Sequence, residues 1–189
     1  MDAPDIPTLE TERLRLRGIR GSDFEDYAAL YADPEVTCLI SSGEIWDRGR
    51  SWRQMAFAVG HWHLEGFGPW VAEEKASGSF LGVIGFWEPA TWPGFELAYH
   101  LARRHWGKGY ATEGARAALG HAFMVWQRSH VMSLVNPANH ASIRVAERIG
   151  ERLEGRIDHF GRPMLIYGLD RTTYLREVAP AEVTARRAG

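Results

Sequence analysis

Residues 103–114 read RRHWGKGYATEG, a set of residue types suited to holding an anion. Gly107 and Gly109 allow close backbone approach to a ligand and conformations barred to residues with a Cβ. The helix-like stretch that follows supplies the unpaired N–H groups of a first turn and the positive end of a helix dipole. Such a terminus can bind phosphate without any side chain. Arg103, Arg104 and Lys108 add positive charge to a chain whose formal net charge is −2. A P-loop is excluded, because Lys108 lies between the glycines and no G-x-x-x-x-G-K-[ST] run exists. A dinucleotide fingerprint is excluded, because Thr112 stands where its third glycine belongs. What remains is R-x-x-G-x-G, Arg104 to Gly109, which by itself fits an anion loop and a plain tight turn equally. A second stretch, NPANHAS at 136–142, sets Asn139 and Ser142 at the opening of another helix.

The elements around these stretches follow from hydrophobic periodicity. ERLRLRGI alternates Leu14 and Leu16 with arginines, which predicts a strand with one buried face. Ser22 and Glu25 have capping-box spacing ahead of a helix carrying Phe24, Tyr27, Ala28 and Tyr31, which Asp33-Pro34 stops. A second helix is predicted over 46–65, then three strands in WVAEE, FLGVIGFW and FELAYHL, the first two joined by a hairpin turn at Lys75–Gly78. Ala115, Ala118, Leu119, Ala122, Phe123 and Trp126 mark an amphipathic helix. VMSLV, the helix ASIRVAERIG and a closing hairpin complete the chain. The order β-α-α-β-β-β-α-β-α-β-β predicts an α+β fold with a parallel portion near the last crossovers. One domain is expected over 8–176, with residues 1–7 and 177–189 as flexible termini.

The array as a whole resembles the GNAT superfamily of N-acetyltransferases, and within it the branch of RimJ- and RimL-like ribosomal-protein N-terminal acetyltransferases. The resemblance spans roughly residues 8–176, through LETERLRLR, YADPEV, HWHLEGFGPWVAEE, GVIGF, ELAYHL, RHWGKGYATEG, NPANHAS and ERIGERLEGR in that order. It implies a central mixed, mostly antiparallel sheet of about seven strands with a splayed strand pair. It implies acetyl-CoA as cofactor, with the pyrophosphate held by the backbone of Arg104, Gly107, Lys108, Gly109, Tyr110, Ala111 and Thr112. It places Tyr99, His100 and Leu101 beside the thioester through backbone groups, at a bulge, with an oxyanion donor in an N–H near His100 and Leu101. Asn139 would contact the cofactor and Ser142 the sulfur, although a serine opening a helix is also commonly a cap.

The implied reaction is direct acetyl transfer to a primary amine: a protein or peptide N-terminus, favoured by the branch, or a lysine, polyamine or aminoglycoside. An α-amine has a pKa near 8 and a lysine near 10.4, so an N-terminal acceptor needs less help from a base. The resemblance makes Glu96 the base, acting through water, with His100 a second candidate and Ser142 the acid or sulfur partner. Glu96, Ala98 and His100 share one strand face, and four residues rise ~13 Å, so Glu96 and His100 form no direct dyad. Tyr167 is a further proton-donor candidate and equally a wall tyrosine. The alternative to an enzyme is a non-catalytic acyl-CoA-binding domain that kept the loop. The resemblance also allows a homodimer. Two departures stand out: Glu151 follows Gly150 where the family has an apolar residue, and Arg148 replaces the usual lysine.

Other features bound the function. A pI near 6.4 argues against a dedicated nucleic-acid binder, whose footprint is a basic face. No apolar run approaches a membrane span, and the N-terminus is not a secretory signal, so a cytoplasmic setting is expected. Cys38 is the only cysteine, read as a buried or pocket-lining thiol. His61 and His63 point to different helix faces, so no metal site is read there. Tryptophans of the second helix and of the 87–93 loop are expected to wall an acceptor site.

Overall fold

The structure, a computed structural model, describes residues 5–40 and 43–179. Its centre is an eight-stranded sheet. The strands are β1 (Leu9–Glu10), β2 (Leu14–Arg17), β3 (Pro69–Glu74), β4 (Phe80–Trp87), β5 (Glu96–Leu101), β6 (His130–Val135), β7 (Arg152–His159) and β8 (Arg162–Asp170). They lie in the order β1-β2-β3-β4-β5-β6-β8-β7, and every neighbouring pair is antiparallel except β5–β6. The expected mixed sheet is present, with the two-residue β1 as an extra strand. The helices are α1 (Phe24–Ala32), α2 (Pro34–Thr37), α3 (Arg48–Glu65), α4 (Tyr110–Met124) and α5 (His140–Arg148).

Two cores form on the two sheet faces. One face of α4, with Ala115, Ala118, Leu119, Ala122 and Phe123, packs on Leu14, Leu16, Ile84 and Leu97. On the other face Tyr27, Leu30 and Tyr31 of α1 meet Trp46, Val71 and Val83. Trp126 lies past the end of α4 rather than on it, stacked on Trp70 with centroids 5.7 Å apart. The ends also differ from expectation. Ile6 packs on the first core and Trp70 Nε1 donates to Pro7 O, while Val178 packs on that same core near Tyr174, so the packed body extends beyond 8–176 on both sides. The rest of the expected tails, residues 1–4 and 180–189, falls outside the described residues.

The predicted capping box does not form. Gly21–Asp23 is a 3₁₀ turn, and Asp23 rather than Ser22 accepts the Arg20 N–H, at 2.7 Å. The cause is Arg17, whose buried guanidinium pairs bidentately with Asp23 and also reaches Glu73. Three charges satisfied in one buried cluster draw Asp23 inward, where an exposed serine has nothing comparable to gain.

Candidate active site

β5 and β6 share a single registered pair, Glu96 with Met132, and then diverge. No register break accompanies this on the β4 side, where the ladder runs from Trp87–Glu96 to Gly82–Leu101; the strands separate without the expected bulge. Side chains replace the missing ladder bonds. Leu134 N–H donates to the Glu96 carboxylate, and Ser133 Oγ bonds Leu97 O at 2.9 Å. Backbone direction alternates along β5: Ala102 N–H bonds Leu81 O on the β4 side, whereas Leu97 O and Leu101 O face the other way. By that alternation the N–H groups of Tyr99 and Leu101 face the open edge, and that of His100 is turned to β4.

A groove of about 250 Å³ occupies the gap. Its floor is Tyr99–Leu101, one wall is the turn at Gly107, Gly109 and the first residues of α4, and the other is α5 with Asn139 and Ser142. Gly107 and Gly109 have φ of 74° and 84°, the left-handed region that penalises residues with a Cβ. Gly109 is the N-cap of α4, so Tyr110, Ala111 and Thr112 present first-turn N–H groups to the groove. The charged side chains of the motif turn elsewhere. Arg104 reaches toward Asp26 and Phe80 O, and neither it nor Lys108 lines the groove. Arg13, unforeseen from the sequence, braces the turn: it donates to Lys108 O at 3.0 Å, pairs with Glu113 on α4 and lies over the Tyr110 ring.

Asn139 caps α5, its Oδ1 accepting the Ser142 N–H at 3.0 Å. The capping role considered for Ser142 therefore belongs to Asn139, and Ser142 Oγ is left to meet the Tyr99 hydroxyl at 3.2 Å. Tyr99 OH in turn donates to Ser142 O. Tyr99 thus enters the groove by its phenol as well as its backbone, and burial pushes that phenol up, keeping it protonated.

On the far side of β5 lies a second cavity of about 280 Å³. Trp46, Phe57, Trp87, Trp92 and Tyr31 wall it, and Glu96 and His100 project from β5 into it. Of the tryptophans weighed for this site, Trp52 is exposed and Trp62 lies in the core, so α3 contributes Phe57 and Gln54 instead. Burial raises Glu96 to about 7, against the opposing bonds from Trp92 Nε1 at 2.6 Å and from Leu134 N–H. Burial lowers His100 to about 4, and Tyr31 OH bonds its Nδ1 at 2.9 Å. At neutral pH the imidazole is uncharged, while the carboxyl holds its proton more tightly than an ordinary carboxylate. The groove and the cavity share Leu39, Ile40, Tyr99, His100, Asn139 and Ser142, and so meet over the centre of β5.

A model of the acetyltransferase (GNAT) domain matches residues 13–152. The chain belongs to the GNAT acetyltransferase family. The transferase is 35% identical to uncharacterized protein YkkB of Bacillus subtilis (strain 168), over 84% of this chain and 93% of that one. It is 30% identical to the uncharacterized N-acetyltransferase YoaA of the same organism, over 79% of this chain and 85% of that one. An acetyltransferase from Agrobacterium tumefaciens str. C58 superposes with a TM-score of 0.79 at 33% identity, covering 87% of this chain and 95% of its own. Mycobacterium smegmatis RimJ, solved with CoA-disulfide, shares the fold, with a TM-score of 0.77 at 21% identity over 97% of this chain and 96% of its own. Acetyl transfer from acetyl-CoA is the activity of this transferase.

Glu151, which follows Gly150, lies beside Ser133 of β6. Glu151 is buried, with Oε1 at 3.0 Å from Ser133 Oγ. Ser133 Oγ lies within donating reach of both Glu151 Oε1 and Leu97 O, and burial pushes the Glu151 carboxyl well above the usual range against the bond from Ser133. The residue was visible in the sequence as an oddity, but its partner, on β6, was not.

The other sequence candidates resolve simply. Tyr167 is a wall residue packed with Val135, Ala146 and Leu165. Cys38 is exposed, its thiol directed to Glu35 O, and so is neither buried nor pocket-lining. His61 Nδ1 bonds Phe67 O and its Nε2 accepts the Glu88 N–H, which occupies both nitrogens. Among the described residues no helix is long and apolar enough to cross a membrane.

Proposed function

We propose that this transferase acetylates a primary amine that enters through the aromatic cavity, with Glu96 as base and the groove holding acetyl-CoA. The observation that carries this reading is the junction over β5, where the groove and the cavity meet beside a carboxyl poised near neutrality. In its ionised form Glu96 takes a proton from the incoming ammonium, directly or through one water. The free amine attacks the thioester carbonyl, forming the C–N bond. The resulting oxyanion lies at the open edge of β5, where the N–H groups of Tyr99 and Leu101 point. As the C–S bond breaks, the Tyr99 or Ser142 hydroxyl would donate its proton to the leaving sulfur, and the second amine proton would restore the hydroxyl. His100, low in basicity and tied to Tyr31, serves as a neutral wall rather than a second base.

The pyrophosphate is assigned to the backbone of Gly107 to Thr112, with Arg13 in support. Arg104 and Lys108 contribute main chain and long-range charge. Steady-state thiol release across pH tests the reading. kcat/KM should rise through a pKa near 7, and Glu96→Gln should remove both the limb and most of the rate. A limb that survives Glu96→Gln overturns the base assignment.

A further inference from the structure

We infer that the acceptor is a small primary amine carried on a flat aromatic body by a short apolar arm, rather than a peptide N-terminus or a polyamine. This rests on the reading above that the acceptor enters the aromatic cavity. Three features of that cavity converge on this class.

The first is the shape of its walls. Tyr31 and Trp46 are stacked, with centroids 4.1 Å apart and planes at 14°. Phe57 and Trp87 form a second stack at 5.4 Å and 2°. Trp92 meets His159 edge-on at 4.6 Å and is held by its bond to Glu96 Oε2. Trp46, held between Tyr31 and the Arg50 guanidinium, is a fixed edge of the wall, while the half-exposed Phe57 with Trp87 and Trp92 present ring surface to another ring at little conformational cost.

The second is charge. Among the described lining residues none is Lys or Arg, and Glu96 is the one carboxyl. A single ammonium can be placed beside Glu96, with aromatic faces around it favouring a cation. The further charges of a polyamine would have no partner, and a buried unpaired charge costs far more than ring contacts return.

The third is the shortage of polar groups. A peptide brings amide N–H and C=O groups that need partners once buried. Asn136 Oδ1 is already used by the Ala138 N–H, and Asn139 Oδ1 by that of Ser142. Among the described residues, apart from Glu96 and the groups shared with the groove, Gln54, His159 and the Asn136 Nδ2 donors are the main side-chain groups left to serve a peptide backbone. The volume, about 280 Å³, falls just below the usual range of small-molecule sites, roughly 300–1,000 Å³, and suits a small acceptor.

The test is thiol release from acetyl-CoA by the full chain, comparing 2-phenylethylamine, tryptamine, n-propylamine, spermidine and short peptides with N-terminal Ala, Ser or Phe. The two arylalkylamines should exceed propylamine in kcat/KM by about tenfold or more, and spermidine and the peptides by about a hundredfold. Phe57→Leu and Trp46→Leu should each shrink the arylalkylamine-to-propylamine ratio severalfold. That ratio is insensitive to partial loss of folded protein, since both substrates see the same enzyme. A preference for spermidine, propylamine or a peptide, with a pH limb near 7 that Glu96→Gln abolishes, overturns the aromatic-body assignment and leaves the base assignment standing. Arylalkylamine preference with turnover untouched by Glu96→Gln does the reverse. No turnover with any of these amines overturns both.

Discussion

The groove beside the glycine turn and the aromatic cavity meet over β5 and differ in what lines them. The groove is framed by two glycines with positive φ, a helix N-terminus and the open edge of β5, with Arg144 and Arg148 of the α5 wall also lining it. The cavity recognises through side chains drawn from α1, α3, β4, β5, the 88–95 loop and the last hairpin. Backbone recognition suits a cofactor that never changes. Side-chain recognition leaves the acceptor free to vary while the groove stays as it is. Glu96 shows the cost of the second design: a carboxyl desolvated enough to titrate near 7 is destabilising when ionised.

The comparison can be broken at either side. The largest effect is expected on the cavity side. Glu96→Gln should lower kcat/KM by roughly 10²–10⁴-fold while CoA affinity, measured by calorimetry, changes little. A comparable loss of CoA affinity would mean that the two sites are not separable. On the groove side, Gly107→Val forces a β-branched residue to a φ of 74°. That strain of about 1–3 kcal/mol should weaken CoA roughly ten- to hundredfold, and unchanged affinity would remove the loop from the cofactor site.

A third effect concerns stability. The folded pKa of Glu96 lies above its unfolded value, so the folded state keeps a proton that the unfolded chain releases between about 4.5 and 7. Stability therefore falls as pH rises through that window. Glu96→Gln should then be more stable than the parent at pH 8, by up to about 3 kcal/mol, and nearly equal to it at pH 4. Denaturant melts at the two pH values would show this; equal gains at both would mean that charge burial is not the cause. The smallest effect belongs to Arg13. Its side chain is 42% exposed and its pair with Glu113 is partly screened, so Arg13→Ala should weaken CoA by only a few-fold. A loss as large as that of Gly107→Val would make the brace, not the glycine geometry, the main source of affinity.

The legible parts of the fold were those set by local rules. Leu14 and Leu16 alternate on β2 and are fully buried, and the apolar face of α4 packs as its spacing requires. Capping was less legible. Ser22 had the right spacing, yet the chain enters α1 through a 3₁₀ turn in which Asp23, paired with Arg17 six residues upstream, accepts the Arg20 N–H. Gly107 and Gly109 stand in the turn that opens α4 and Asn139 caps α5, positions set by local backbone geometry. The motif's positive side chains misled, because a sequence pattern does not say where Arg104 and Lys108 point.

By itself the sequence determined the order of elements, the glycine turn opening α4, the capped start of α5 and the presence of a carboxylate on β5. Each depends on neighbours within a few residues, where backbone geometry and hydrophobic period are decisive. Only the tertiary structure decided that Ser133 links β5 to Glu151 and which aromatic rings line the cavity with Glu96. Those outcomes turn on contacts between residues far apart in the chain, and on burial, which sets both the pKa of a carboxyl and the partners it can reach.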